Sequence, residues 1–158
     1  MSELYDMPGH LIRRFQQIAV AVFHAEVGKL GYDLTPVQYA ALVTVAGNPG
    51  IGQATLAGLI AYDRTTIGGV VDRLVQKGFL GREVSSSDRR AHVLQVTDAG
   101  RAVVRTVEPA VLAAQRIMLG GLEPAEAGEL MRLLRKAIDA GNEMSRAPLV
   151  TERAGVIG

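Results

Sequence analysis

Arg89 and Arg90 stand side by side in the stretch SSSDRRAHVLQVT, Ser85 to Thr97, behind three serines and an aspartate and ahead of a run that alternates apolar and polar side chains. Guanidinium groups are planar, permanently charged and rich in donors, so a pair of them suits phosphate or the electronegative floor of a narrow, A·T-rich minor groove. Asp88 would cancel part of an attraction that rested on charge alone; as an orienting partner it would hold one arginine extended. A solvated charged turn explains the same three residues without any ligand. A second cluster lies just upstream in DRTTIGGVVDRLVQKGFLGRE. Thr65 and Thr66 follow Asp63 at the start of a helical pattern, where free backbone N–H groups and the helix dipole favour a phosphate, although capping accounts for them equally well.

The elements that carry these residues decide between the readings. Ile67, Val70, Val71, Leu74 and Val75 recur at helical spacing and fix a buried face, so Thr65, Gly69, Asp72, Arg73 and Gln76 point outward. Gly68 and Gly69 each disfavour this helix by about 1 kcal/mol relative to alanine, which close approach to another surface would offset. A shorter helical segment, GQATLAGLI, precedes it, and the pair reads as a helix-turn-helix. FLGREVS and AHVLQVT then alternate with period two around SSDRR and read as a β-hairpin. A hairpin directly after a helix-turn-helix is a wing whose tip carries Arg89 and Arg90, and in that setting the groove is favoured over the solvated turn. Arg64 adds to a local basic excess. Arg73 and Arg82 are placed for phosphate contacts, with a salt bridge near Asp72 as the alternative for Arg73, while Lys77 reads as structural.

The remaining chain supplies helices. From about Pro8 to Leu30, Leu11, Ile12, Phe15, Ile18, Ala19, Val22 and Phe23 draw a wide apolar face. In LTPVQYAALVTVAG, Thr35 is an N-cap, Pro36 takes the first helical position and Gln38 completes a capping box. A helix from Thr97 runs through Val103, Val107 and Val111 with a bend expected at Pro109, and after GGLEP another stripe forms at Leu130, Leu133, Leu134 and Ile138. These end helices have more apolar face than a small lobe can cover, and a two-fold partner would bury it. The tail SRAPLVTERAGVIG has no period; it is either unordered or ordered against a partner. The fold expected is mainly α with a small β-hairpin: an N-terminal dimerisation helix over 1–34, a winged helix-turn-helix lobe over 35–98, C-terminal dimerisation helices over 99–145 and a tail over 146–158.

With 158 residues, 48% of them hydrophobic, the chain has material for one compact core. It has no cysteine, which removes disulfides, thiolate metal sites and thiol-based redox sensing. Its apolar runs fall short of the roughly 20 residues a membrane span needs, and no secretory signal opens the chain, so a cytoplasmic protein is expected. Net charge is only +1, so any nucleic-acid footprint must be local. The three histidines sit apart, with no phosphate loop or nucleophile elbow, so neither an enzyme nor a cofactor or metal is expected. A winged helix acting only as a protein-binding adaptor is the alternative, and it has no need of two exposed wing arginines.

DRRAHVLQVT resembles the Asp-x-Arg-x-x-x-Leu-x-Leu-Thr wing signature of the MarR family of bacterial transcription regulators at Asp88, Arg90, Leu94 and Thr97, with Val96 in place of the second leucine. DRTTIGGVVDRLVQKGFLGRE is similar to that family's recognition helix and the turn into its wing. The resemblance implies a homodimer in which first and last helices interlock and two winged lobes read a pseudo-palindromic operator in double-stranded DNA. Arg90 would then enter the minor groove, with Arg89 on the backbone or supporting it. On the first helix, His10, Arg14, Gln17 and His24 share one stripe beside the apolar face. The stripe is either a solvated face or the lining of a cavity for a small anionic aromatic effector, Arg14 meeting its carboxylate and His10 or Gln17 a ring substituent. Family resemblance favours the cavity, since such regulators bind aromatic acids or their thioesters between dimer helices and lobe, and adds Tyr39 to it. MPGHLIRR and LTPVQYAAL look most like regulators of aromatic-acid breakdown, of nicotinate and cinnamate type. A repressor released by such a ligand is the resulting expectation.

Overall fold

The structure, a computed structural model, describes residues 2–151. Residues 152–158, the second half of the predicted tail, lie outside it. A short helix α1 (Ser2–Tyr5) leads into α2 (Pro8–Gly28), then α3 (Pro36–Gly47), β1 (Ile51–Gly52), α4 (Gln53–Leu59), α5 (Arg64–Gln76), β2 (Leu80–Val84), β3 (His92–Val96), α6 (Asp98–Met118), α7 (Pro124–Gly141) and a 3₁₀ turn over Asn142–Met144.

Local chemistry sets these boundaries. The capping box at α3 is formed: Thr35 Oγ1 accepts from the Gln38 N–H at 3.2 Å and Gln38 Oε1 accepts from the Thr35 N–H at 3.1 Å. Helix α5 ends at Gly78, whose φ of 78° only glycine adopts without strain, and the Phe79 N–H closes back on the Leu74 carbonyl at 2.9 Å. Thr97 joins the wing to α6: its Oγ1 accepts from the Gly100 N–H at 3.0 Å, starting the helix, and its hydroxyl donates to the Gly78 carbonyl at 2.6 Å. Helix α6 runs through Pro109 without interruption.

The two-stranded hairpin expected from the sequence is one part of a three-stranded antiparallel sheet, ordered β1-β3-β2. In β2 and β3, Leu80 faces Val96 and Arg82 faces Leu94; β1 adds only Ile51 opposite Leu94 and Gly52 opposite Val93. Two residues are too few for a period, so alternation could not reveal β1. The core joins Leu42, Val45, Leu56, Ile67, Val71, Leu74 and Leu94 of the lobe to Phe23 and Val27 of α2 and Val103 and Val107 of α6. Helix α7 buries none of its residues, and Leu133 and Ile138 are 47% and 60% exposed. No helix of the described residues is long and apolar enough to cross a membrane.

Candidate nucleic-acid interface

Helix α5 buries Ile67, Val70, Val71 and Leu74 and leaves Thr65, Gly69, Asp72, Arg73 and Gln76 exposed, as the spacing predicts. Its first turn is held by Asp63, whose carboxylate accepts both the Thr66 N–H and the Thr66 hydroxyl at 2.8 Å. Those two bonds hold the Asp63 carboxyl below the usual carboxylate range. Thr66 is therefore committed to the cap, whereas the Thr65 side chain faces solvent. The paired glycines differ. A Cβ on Gly68 would stand 3.6 Å from Gln53 Nε2, in ordinary contact, while nothing lies within 4 Å of one on Gly69. The chain itself gives Gly69 no reason to lack a side chain.

At the wing tip, Ser85 N–H donates to the Ala91 carbonyl at 2.9 Å and Ser87 N–H to Ser85 Oγ at 3.3 Å, so the serines shape the turn. Asp88 does so too. Its Oδ1 accepts the backbone N–H of Arg90 at 2.9 Å, and its carbonyl accepts from Ala91 at 3.1 Å. The expectation that Asp88 grips an arginine side chain is corrected: it fixes the main chain at Arg90, an Asx-type bond that short acidic side chains make readily. Arg89 and Arg90 are exposed. The salt bridge considered for Arg73 is made by Arg82 instead, whose guanidinium donates to Asp72 Oδ1 at 2.6 Å and ties β2 to α5. Arg73 lines a polar hollow with Asp33, Gln38 and Lys77, and Lys77 donates to the Asp33 carbonyl and to Gln38 Oε1, pinning α5 to the start of α3.

A cleft of about 390 Å³ between wing and helix-turn-helix brings Arg64 from the start of α5 together with Asp88 and Arg90 from the tip. It also recruits Gln53, Thr55 and His92, which sequence reasoning missed. Gln53 Oε1 is buried in it with no hydrogen-bond partner among the described residues. The signal for these three was the pairing of β1 with β3, which draws the start of α4 against the wing. The surface thus carries exposed cations on two elements, a helix N-terminus between them and a glycine that keeps the helix face flat. This is what a winged helix presents to a duplex: cations for phosphates and minor groove, small side chains for the major groove.

The residues proposed for a ligand are less concentrated. Arg13, not Arg14, contacts the stripe, donating to Gln17 Oε1 at 3.3 Å and reaching His10 Nδ1 at 3.5 Å. The His10 ring meets Tyr5 edge-on at 5.6 Å, and its Nε2 is buried without a partner among the described residues. Arg14 is exposed. Tyr39 packs 6.3 Å from Phe23, where burial and the nearby Glu108 push its hydroxyl pKa up. His10 and Phe23 are thirteen residues apart on α2, roughly 20 Å along the axis, so His10 and Tyr39 do not share one cavity in the single chain. Nearer the stripe, an apolar groove of about 370 Å³ lies among Leu11, Phe15, Met118, Leu122, Leu130 and Leu134. Among the described residues no cluster of histidine and carboxylate side chains could hold a metal ion.

Fold and surface together define a DNA-binding winged-helix protein. Residues 34–92 match the MarR family model. The chain is 34% identical over 125 residues, 79% of its length and 72% of the relative's, to a protein assigned to regulate transcription of the hcr operon in Thauera aromatica. The PcaV transcriptional regulator of Streptomyces coelicolor, solved with its natural ligand, superimposes with a TM-score of 0.79 at 32% identity, covering 87% of this chain and 96% of that one. BpsR of Bordetella bronchiseptica, whose DNA binding is regulated by 6-hydroxynicotinic acid, superimposes at 0.78 with 30% identity over 85% and 94%. The protein belongs to the MarR family of transcriptional regulators.

Proposed function

We propose that this regulator is a cytoplasmic, homodimeric repressor whose grip on a pseudo-palindromic operator is released by a small anionic aromatic acid or its thioester. The observation that carries the DNA side is the convergence of Arg64 and Arg90 on one cleft beside the exposed face of α5. Thr65 reads base edges, Gly69 lets the helix face approach them closely, Arg90 enters the minor groove, and Arg73, Arg82 and Arg89 meet phosphates, Arg82 only by loosening its hold on Asp72. The apolar faces left open on α2, α6 and α7 support the dimer, with 1–34 and 99–145 as its helices and 35–98 as the reading lobe. Similarity to PcaV and BpsR supports an aromatic effector, and the unpaired buried His10 Nε2 beside the cations of α2 supports the stripe of His10, Arg14 and Gln17 as its seat. Tyr39, farther along, would reach the ligand only from another direction, as a two-fold partner provides. Differential affinity of about 1.4 kcal/mol between DNA-competent and incompetent dimers changes binding tenfold.

Fluorescence anisotropy of the protein on DNA from upstream of its own gene, over a salt series and with a panel of aromatic acids, tests this. Tight, salt-dependent binding relieved by one compound supports the whole reading. Binding that no compound relieves removes the effector. No binding leaves a protein-interaction adaptor.

A further inference from the structure

The chain does not end at the dimer helices. After α7 and the 3₁₀ turn it bends back to the helix-turn-helix; two bonds to Asn142 close the loop and a third reaches α4. The Asn142 side chain brackets Leu149, accepting its N–H at 2.8 Å and donating to its carbonyl at 3.0 Å. The next residue, Val150, donates its N–H to the Gly58 carbonyl of α4 at 2.9 Å. Gly58 explains itself by this contact, since a Cβ there would stand 3.2 Å from Val150 Cβ and 3.5 Å from Cγ2. Glycine is a poor helix residue, and here it clears a seat for the crossing segment. Between the anchors, Ser145 Oγ accepts the Ala147 N–H at 3.1 Å, and Arg146 is close enough to help hold Asp63 charged at the start of α5.

We infer that residues 145–150 form a strap that docks on α4 at Gly58 and ties the far end of α7 to the DNA-reading lobe. Beyond the core it shares with α2 and α6, the lobe is then held at two further points. One is the start of α6, where Thr97 grips Gly78; the other is the strap. A lobe packed on α2 and α6 alone takes no account of α7, whereas the strap makes its orientation depend on where α7 sits. Because α7 buries nothing of its own, its position answers to whatever covers its apolar face, and the strap carries that position to the helix-turn-helix. The docking stands on the bonds above; its effect on DNA affinity rests on the regulator reading.

Hydrogen exchange on the full chain, read residue by residue, tests the docking. Leu149 and Val150 amides should exchange far more slowly than coil. Asn142→Ala and Gly58→Ala should each release them while Val71 and Leu74 amides stay protected. Gly58→Ala combined with Val150→Gly should keep α4 fully protected, because the methyl then meets no side chain. Anisotropy on upstream DNA tests the coupling: Asn142→Ala should shift affinity by about two- to thirtyfold with an unchanged salt slope, since no phosphate contact is lost. Coil-like exchange of Leu149 and Val150 in the parent overturns the strap, and released amides with unchanged DNA affinity overturn the coupling. If the parent binds no upstream DNA the regulator reading fails, and the exchange result still decides the docking.

Discussion

Gly69 offers the sharpest test at the scale of a residue because its two effects have opposite signs. It lies inside a helix with open space where a Cβ would go, so Gly69→Ala should raise folding stability by about 0.5–1 kcal/mol, read by urea denaturation. The same methyl stands on the exposed face of α5, and operator binding should weaken. A variant that is both more stable and equally tight would remove α5 from the interface. Arg90→Ala should weaken binding about tenfold, near 1.4 kcal/mol, at matched salt, with folding unaffected because the side chain is exposed. Asp88→Ala should weaken it also, through the turn, because Asp88 holds the backbone of Arg90. Asp63 supplies a pH dependence. Its native pKa is lowered, so the capping contribution is fully present above the ordinary carboxylate value near pH 4 and is lost as pH falls through the lower native one. Asp63→Asn cannot titrate and should flatten that part of the acid limb in thermal melts. These residues were legible from the chain because capping and turn chemistry are local. The grip on the Arg90 main chain, rather than its guanidinium, was not, since an aspartate beside two arginines fits either bond.

Elements show where local reading stops. The capping box of α3 and the buried face of α5 follow from spacing and end signals, and the structure has them as read. Strand β1 does not follow, because two residues become a strand only when β3 lies beside them. Its absence from the sequence reading also hid Gln53, Thr55 and His92, which enter the cleft through that pairing. The return of the tail to α4 was hidden likewise: SRAPLV has no period, and its bonds go to Asn142 and Gly58. One junction makes an element-scale prediction. A Cβ on Gly100 would stand 2.2 Å from the Phe79 carbonyl oxygen, so the start of α6 fits against the base of the wing only without a side chain. Gly100→Ala should cost about 1–3 kcal/mol or more in denaturant unfolding, as overpacked sites do. Unchanged stability would mean that α6 and the wing are less closely joined than this.

For the whole molecule, the distribution of apolar surface matters more than any single contact. Leu11 and Ile12 on α2, Leu112 and Ile117 on α6, and Leu133 and Ile138 on α7 are each about half exposed or more. Burial of one such side chain is worth about 1.5–3 kcal/mol, and monomers rarely leave so many on neighbouring helices. In the proposed dimer a two-fold partner would cover them and set two α5 helices on consecutive major grooves, about 34 Å apart. Ile138→Asp places a carboxylate in that interface, where an unpaired charge is costly, while in the single chain it only replaces an exposed side chain. Sedimentation should therefore show the parent as a dimer and Ile138→Asp as a folded monomer with an unaltered far-ultraviolet spectrum. Operator affinity should fall by about 10²–10⁴, because the second half-site is no longer engaged from within the same complex. The salt slope should roughly halve, as phosphate contacts of one lobe are lost. A parent that sediments as a monomer yet binds with the full slope would place recognition in a single lobe and leave the exposed faces of α2, α6 and α7 for another partner.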